Sequence, residues 1–448
     1  MLTIDQARDR AQDIVARAKA AGADAADAVF ADDTSLEVSV RLGALEDVGR
    51  SENAELGLRV FVGRRSASVS TSHLSTDAMT ELVERAIAMA REAPEDAWAG
   101  LAPEDRLLHG APPQLDLDDG GQVSPEALRE AALAAEDAAR AVPGVSNSEG
   151  GGASASRSVF ALATSHGFAG AYAATGYGLS ASVLAGSGGS MVRDYGHHSA
   201  RHRHKLEDAA TIGTRAGDRA VARLNPGRLA SGAMPVVFDP RVGSSLLGHL
   251  IGAISGQAIS RKTSFLLDAL GTRVFASGVT ICDDPHRPQG LRSRPFDGEG
   301  LPVSPTEFVS HGMLETWLLD SASARQLGLE PTGHAARGGA GSPGVSTSNL
   351  YMAAGMVPPK TLIADIARGV FVTELIGMGV NGVTGDYSRG AAGFLIENGA
   401  ITTPVAEFTI AGNLKDMFLN LTPANDLEFR YGSNAPTLRV EGMTVASG

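Results

Sequence analysis

The sequence predicts an α+β fold made of two mixed domains, each with antiparallel sheets and packed helices. The chain has 448 residues, of which 54 are glycine, while aromatic residues make up only 5%. Glycine supplies the positive-φ positions that tight turns need. This composition therefore favours a sheet-rich protein over a bundle of long helices. Helix signals and alternating strand signals occur together in both halves, which is typical of the α+β class.

The first half, residues 1–225, predicts an N-terminal α+β domain. Thr3 and Gln6 have capping-box spacing, and the apolar residues behind them recur at helical spacing until Gly22. Alternating segments before residue 71 predict an antiparallel meander, and residues 145–200 predict long twisted hairpins. Three further helices are predicted from amphipathic spacing and capping residues: residues 77–91, 125–143 and 206–224.

Asn225-Pro226-Gly227 is the predicted domain boundary, and residues 226–448 predict a C-terminal, β-rich α+β domain. Its predicted elements are a strand over residues 234–238, a helix over 241–259, a Gly- and Pro-rich loop over 332–349, and hairpin turns at His311-Gly312 and Asn398-Gly399. Asn-Gly between apolar strands is a strong signal for a type I′ hairpin turn.

Charge excludes one class of function. The formal net charge is −13, whereas nonspecific nucleic-acid binding needs clustered Lys and Arg to displace counterions. The one basic cluster, residues 201–205, is followed at once by Glu207 and Asp208. A solvated strand end is the simpler interpretation of that cluster. We therefore expect no nucleic-acid partner.

Cysteine usage and hydropathy indicate the compartment. Cys282 is the single cysteine, so no intramolecular disulfide can form, which fits a reducing environment. Residues 1–6 show neither the basic nor the apolar region of a signal peptide. The longest nearly uninterrupted apolar run, residues 246–254, is too short to span a bilayer. We expect a cytoplasmic protein with no membrane partner.

Three short motifs suggest cofactor or metal chemistry, and each has a simpler interpretation. Residues 377–382 match G-x-G-x-x-G, but poor helix formers follow the third glycine, which favours a turn. Residues 256–263 miss the phosphate-binding loop pattern because Arg261 replaces its second glycine. Four histidines have the spacing of an extended segment whose neighbours point apart, which favours exposed strand residues over a metal site. They are His197, His198, His202 and His204.

The C-terminal half carries long, specific sequence strings. Residues 381–394 and 408–418 resemble signatures of the TldD/PmbA family, also called the modulator of DNA gyrase family. Residues 332–335 and 343–350 resemble the glycine-rich loop of that family. The N-terminal half fits the family in length and element order, so the resemblance covers essentially the whole chain and implies a PmbA/TldD-like fold.

The resemblance also implies what this chain lacks. The TldD-like branch binds zinc through a H-E-x-x-x-H helix and a downstream cysteine, with the Glu as general base. When Gly248-His249 is laid on the end of that motif, Ser244 replaces the first zinc-ligand His and Ser245 replaces the Glu. No cysteine occurs in residues 428–433, and no His in the chain is followed by Glu. We therefore expect no catalytic residue and no metal in this chain, which places it in the TldE/PmbA branch.

The function implied by the resemblance is that of a noncatalytic subunit in a heterodimeric zinc metallopeptidase. The zinc is expected in a TldD-like partner, and the pair would process leader peptides or degrade small unfolded peptides. This chain would be inactive alone, and His249, Asp386 and Arg389 are its predicted peptide- or partner-binding residues. Two alternatives remain open: a peptide-binding module or homodimer acting without a catalytic partner, and an independent hydrolase with unrecognised chemistry.

Overall fold

The computed structural model describes residues 2–447, and its N-terminal half is organised around one antiparallel sheet. The helices of this half are α1 (Ile4–Ala20), α2 (Thr76–Glu92), α3 (Pro125–Arg140) and α4 (Ala209–Ala222). The strands are β1 (Ala25–Arg41), β2 (Ala44–Val62), β3 (Arg65–Thr71), β4 (Val145–Thr164), β5 (Ala169–Ala185) and β6 (Val192–Ala200). The sheet order is β3-β2-β1-β4-β5-β6, so the predicted meander and long hairpins are confirmed.

The two faces of this sheet have different partners. Even-numbered residues of β1 pack under the helices: Phe30 belongs to the core beneath α1 and α2, and Val38 to the core beneath α3 and α4. The odd-numbered Val29 lies on the opposite face, where it shares a core with Phe296 and Leu301 of the C-terminal half. Because strand residues alternate between faces, a single sheet supports the helical layer and also docks the second half of the chain.

The C-terminal half contains shorter elements. Its helices are α5 (Pro240–Ile254), α6 (Gly256–Ser260), α7 (Ser321–Leu327), α8 (Pro359–Ile363) and α9 (Leu414–Leu419). Its strands are β7 (Gly232–Phe238), β8 (Ile281–Asp284), β9 (Thr306–Ser310), β10 (Met313–Leu314), β11 (Ala335–Ala336), β12 (Gly344–Val345), β13 (Asn349–Met352), β14 (Arg368–Ile376), β15 (Asp386–Glu397), β16 (Ala400–Asn413), β17 (Leu421–Pro423), β18 (Ser433–Asn434) and β19 (Leu438–Ser447).

Two main sheets enclose the C-terminal core. One has the order β16-β15-β14-β7-β19-β17, and β16 also pairs with β19, so this sheet curls back on itself. The other has the order β10-β9-β8-β13-β18. Most pairs are antiparallel, with parallel pairing of β14 with β7 and of β13 with β18. α5 lies over β13, β14 and β18, and this position brings its side chains beside β15.

The turn predictions in this half are confirmed. Asn398 and Gly399 have φ values of 50° and 77°, as a type I′ turn between β15 and β16 requires. His311 and Gly312 form the equivalent turn between β9 and β10, with φ values of 48° and 83°. Residues 377–382 form a loop with no helix behind it, so the dinucleotide motif is a turn. No helix within residues 2–447 is both long and apolar enough to cross a membrane.

Two details of the prediction are wrong. The helix predicted over residues 241–259 breaks at Ser255, whose ψ of 136° is extended and whose side chain caps α6. Backbone bonds of residues 254–256 go instead to Leu318, and a tertiary contact thus replaces one turn of helix. His202 is also not an exposed strand residue: it follows β6, is 8% exposed, and its Nε2 lies 2.9 Å from the Asp116 carbonyl oxygen.

Buried charges join the halves. Asp27 on β1 stands opposite Arg59 on β2, and its carboxylate also accepts a hydrogen bond from Arg337 in the glycine-rich loop. Gly57 lets this loop approach, because a Cβ there would lie 2.6 Å from the backbone of Gly339. The sheet surface is therefore shaped to receive the loop.

Candidate functional site

The helix α5 carries three of the predicted site residues. Asp239 caps its N-terminus by accepting a hydrogen bond from the Arg241 amide, and Pro240 occupies its first position. Ser245 and His249 are four residues apart and therefore lie on one face of the helix. The Ser245 hydroxyl donates to the Val242 carbonyl at 2.7 Å, which is a bond within the helix. Ser244, Ser245 and His249 are all half-buried.

Strand β15 supplies the opposing side chains. Tyr387 and Arg389 are two residues apart, so they point to the same face of the sheet. Tyr387 is only 1% exposed, and its ring meets the His249 ring edge-on with 5.8 Å between centroids. We call the group formed by Ser245, His249, Tyr387 and Arg389 the α5–β15 site.

Three polar atoms of the α5–β15 site are buried without a hydrogen-bond partner among the described residues. They are Nε2 of His249, the hydroxyl oxygen of Tyr387 and Nε of Arg389. Buried polar atoms are nearly always paired, and an unpaired one costs about 1–3 kcal/mol. Three such atoms at one place mark a candidate binding site, and the Tyr387 ring beside them belongs to the C-terminal core.

The protonation states follow from burial and charge. Burial, and then the positive charge of Arg389, lower the pKa of His249, so its imidazole is neutral at neutral pH. Burial raises the pKa of Tyr387 to about 12, so its hydroxyl keeps its proton. The site thus offers a neutral hydroxyl donor, a neutral imidazole and a guanidinium, a combination suited to holding an oxygen-rich or anionic group.

A cavity of about 290 Å³ opens beside Ser245 and Arg389. Four arginines and two carboxylates line it, and the positive charges are therefore in excess. These residues are Arg193, Asp194, Arg223, Arg241, Glu374 and Arg389. Asp194 is 3% exposed and lies 2.7 Å from Arg241 and 3.5 Å from Arg223, which fixes both arginines in place.

Asp386 is placed differently from the other predicted site residues. Its carboxylate accepts hydrogen bonds from Thr384 at 2.6 Å and from Asn413 at 3.2 Å, and both lower its pKa. Strand alternation directs its side chain away from the face that Tyr387 and Arg389 share. Asp386 therefore holds the loop that leads into β15 and does not join the α5–β15 site.

Sequence reasoning missed Tyr387 and the ion network around Asp194. Tyr387 could have been found, because it stands two residues before Arg389 in a segment with strand character. Asp194 and Arg241 are far apart in the chain, and no local pattern signals their pairing.

The residues of the α5–β15 site do not suit a zinc ion. Zinc requires about three imidazole, thiolate or carboxylate ligands, and here one imidazole faces a tyrosine, a serine and a cationic arginine. No group of three or more His, Cys, Asp or Glu side chains within residues 2–447 is arranged to hold a metal ion.

Comparison with known proteins decides the family. Models of three successive domains match this chain: PmbA/TldA metallopeptidase domain 1 over residues 26–90, the central domain over 118–224 and the C-terminal domain over 231–447. The metalloprotease PmbA of Escherichia coli O157:H7 is 39% identical over 425 residues, which cover 94% of this chain and 92% of that protein. The chain belongs to the PmbA/TldD metallopeptidase family. The resemblance inferred from residues 381–394 and 408–418 is confirmed.

Other PmbA/TldD relatives agree along the whole length. The metalloprotease PmbA homolog of Haemophilus influenzae is 37% identical over 92% of this chain and 90% of its own. A solved structure from Bacteroides thetaiotaomicron, named for modulation of DNA gyrase, has a TM-score of 0.92 at 28% identity and covers both chains fully. TldE from Thermococcus kodakarensis shares the fold, with a TM-score of 0.87 at 21% identity over 98% of this chain and 100% of that one.

Proposed function

We propose that this chain is the noncatalytic, TldE/PmbA-like subunit of a heterodimeric zinc metallopeptidase whose TldD-like subunit holds the metal. The observation that carries the proposal is the composition of α5 at Ser244 and Ser245. Ser244 and Ser245 lie on α5, and the family resemblance implies that they replace the zinc-ligand His and the general-base Glu. The α5–β15 site then has no carboxylate to act as general base, and His249 is its single imidazole, whereas zinc requires about three ligands.

The same site supports a role in holding peptide. Peptides bring carbonyl oxygens and carboxylates, and Arg389 of the α5–β15 site lines a cavity with excess positive charge. A guanidinium binds a carboxylate through two parallel hydrogen bonds. We infer that the site binds a leader peptide or a small unfolded peptide while the TldD-like subunit cleaves that peptide in the cytoplasm.

Co-purification with a TldD-like protein, followed by peptidase assays, tests the proposal. Each protein alone should cleave an unstructured peptide slowly or not at all, and the mixture should cleave it. A chain that cleaves the peptide alone would show the proposal to be wrong. Peptide binding by this chain with no association to the TldD-like protein would favour the alternative, a binding module or homodimer.

Arg389 offers a sharper test of the site within the complex. Arg389→Ala should assemble normally and lower the peptidase activity of the pair about tenfold, as expected for one charge-assisted hydrogen bond to substrate. Arg85 is an exposed arginine on α2 and provides the matched control, because Arg85→Ala removes the same charge far from the site. Equal activity of the two variants would refute the role of Arg389.

A further inference from the structure

A second basic cavity lies between the end of β6 and the C-terminal half. Its volume is about 220 Å³, and residues 198–202, Lys205 and residues 287–291 form most of its wall. Phe429 and Tyr431 line it from the C-terminal segment. No Asp or Glu lines this cavity, although the chain as a whole carries a net charge of −13.

The positive charges of the cavity lack counter-charges. Within residues 2–447, Arg201, Lys205 and Arg287 form no ion pair with a carboxylate. Arg201 donates instead to the carbonyl oxygens of Thr175 at 3.0 Å and of Leu291. These bonds hold the guanidinium in the wall of the cavity without cancelling its charge, so Arg201 is not part of a freely solvated strand end.

Two carboxylates near the cavity, those of Asp116 and Glu207, already accept hydrogen bonds from other side chains. Asp116 accepts a hydrogen bond from Gln289 Nε2 at 2.6 Å. Glu207 is held by both Arg215 and Arg430, whose hydrogen bonds lower its pKa. Glu207 therefore adds no net negative charge, and the carboxylate of Asp116 keeps its charge but lies outside the lining of the cavity. An anion from outside can then balance the charges of the cavity wall.

Arg287 is fixed by an aromatic ring. Its guanidinium carbon lies 3.4 Å from the centroid of the Phe429 ring, and Phe429 in turn meets Tyr351 edge-on at 5.1 Å. Stacking orients the plane of the guanidinium and leaves its N–H edge free to bind. Such an arrangement fits recognition of a planar carboxylate better than a passing counter-ion.

The basic cavity is linked to the α5–β15 site. Tyr431 lines both the basic cavity and an adjoining cavity of about 350 Å³, and Arg241 lines both that cavity and the one beside Ser245 and Arg389. The three cavities therefore follow one another along the boundary between β6 and the C-terminal half, and we call this series of neighbouring cavities the trough. An extended peptide bound in this trough would reach from one end to the other.

We propose that the basic cavity is a second anion subsite, which takes a carboxylate of a peptide lying in the trough. The volume suits one carboxylate group with its flanking atoms and is smaller than the roughly 300 Å³ at which drug-sized pockets begin. The carboxylate is either the C-terminus of the peptide or an Asp or Glu side chain. The inference rests on the proposed function only in taking peptide as the ligand.

Binding of dye-labelled, unstructured peptides to the isolated chain, followed by fluorescence anisotropy, tests the proposal. The probes are a peptide with a free C-terminus and one Glu, its C-terminal amide, and its Glu-to-Gln version. We expect one of the two neutralised peptides to bind about tenfold more weakly than the parent. Weaker binding of the C-terminal amide identifies the C-terminus as the bound group. Weaker binding of the Gln version identifies the Glu side chain instead.

Substitutions in the wall of the basic cavity test whether the carboxylate binds there. Arg287→Gln should remove the preference for the carboxylate, and Lys205→Gln, at an exposed position, should reduce it. Arg85→Gln on α2 changes the net charge equally and should leave the preference intact. A carboxylate preference that survives both Arg287→Gln and Lys205→Gln overturns the subsite. If only Arg389→Ala weakens peptide binding, the proposed function still holds, but the basic cavity is not a carboxylate subsite.

Discussion

Replacing Asp27 with Asn should strongly destabilise the packing of the glycine-rich loop on the N-terminal sheet. The side chains of Asp27, Arg59 and Arg337 are 3%, 7% and 0% exposed, so water hardly screens their charges. Asn keeps the shape of Asp but removes the carboxylate charge that both buried guanidiniums contact. Removing one partner of a buried ion pair costs about 3–5 kcal/mol, and we expect a loss of that size in the free energy of unfolding at neutral pH.

The stability lost in Asp27→Asn depends on pH. Burial by itself would raise the pKa of Asp27, but Arg337 and Arg59 outweigh it and hold the pKa below its ordinary value. A carboxyl with a depressed folded-state pKa stabilises the fold above the unfolded pKa, about 3.9, and loses that effect as pH falls through the folded value. The difference in the free energy of unfolding between wild type and Asp27→Asn should therefore be largest at neutral pH and should decrease below about pH 4.

Urea unfolding followed by circular dichroism measures the loss. Asp33 lies on the same strand, is exposed, and provides the control: Asp33→Asn should change the free energy of unfolding by less than about 0.5 kcal/mol. If Asp27→Asn unfolds at the same urea concentration as Asp33→Asn, the buried triad does not join the halves and the reasoning fails.

Two further predictions concern a buried carboxyl and a turn. Burial and then the neighbouring Asp297 raise the pKa of Glu299 to about 7; the free energy of unfolding of wild type relative to Glu299→Gln should therefore fall as pH rises from about 4.3 to about 7. Thermal melts of both proteins at the two ends of this pH range measure the change. A stability difference between the two proteins that stays constant over the range would contradict the prediction. Gly399→Ala should cost about 1–3 kcal/mol, because φ is 77° and the added Cβ would lie 2.5 Å from a backbone oxygen. Gly248→Ala, in open space on α5, should instead gain about 0.5–1 kcal/mol, and equal urea midpoints for the two variants would refute this.

Local signals account for most of what the sequence predicted correctly. The Thr3–Gln6 capping box and the Asn398-Gly399 turn depend on neighbouring residues only, and both occur in the structure as the sequence indicates. The break at Ser255 was missed because distant backbone at Leu318 supplies the hydrogen bonds that a helix would otherwise make. A sequence pattern cannot report such competition.

The candidate site was only partly predictable for the same reason. The positions of Ser245 and His249 on α5 could be read from the family motif, and Arg389 from its neighbourhood. Their approach to Tyr387 depends on how α5 lies beside β15, and that placement is set by the C-terminal core as a whole. Asp386 shows the converse, because proximity in sequence to Arg389 did not bring it into the site.

Zinc content of the purified chain tests whether it is a subunit without a metal site of its own. With Ser244 and Ser245 on α5 and the cationic Arg389 lining the same cavity as Ser245, we predict no stoichiometric zinc in the isolated chain by elemental analysis. Stoichiometric zinc should appear only when the chain is purified together with a TldD-like protein. One tightly bound zinc per isolated chain, with peptidase activity that is lost on chelation, would contradict the account.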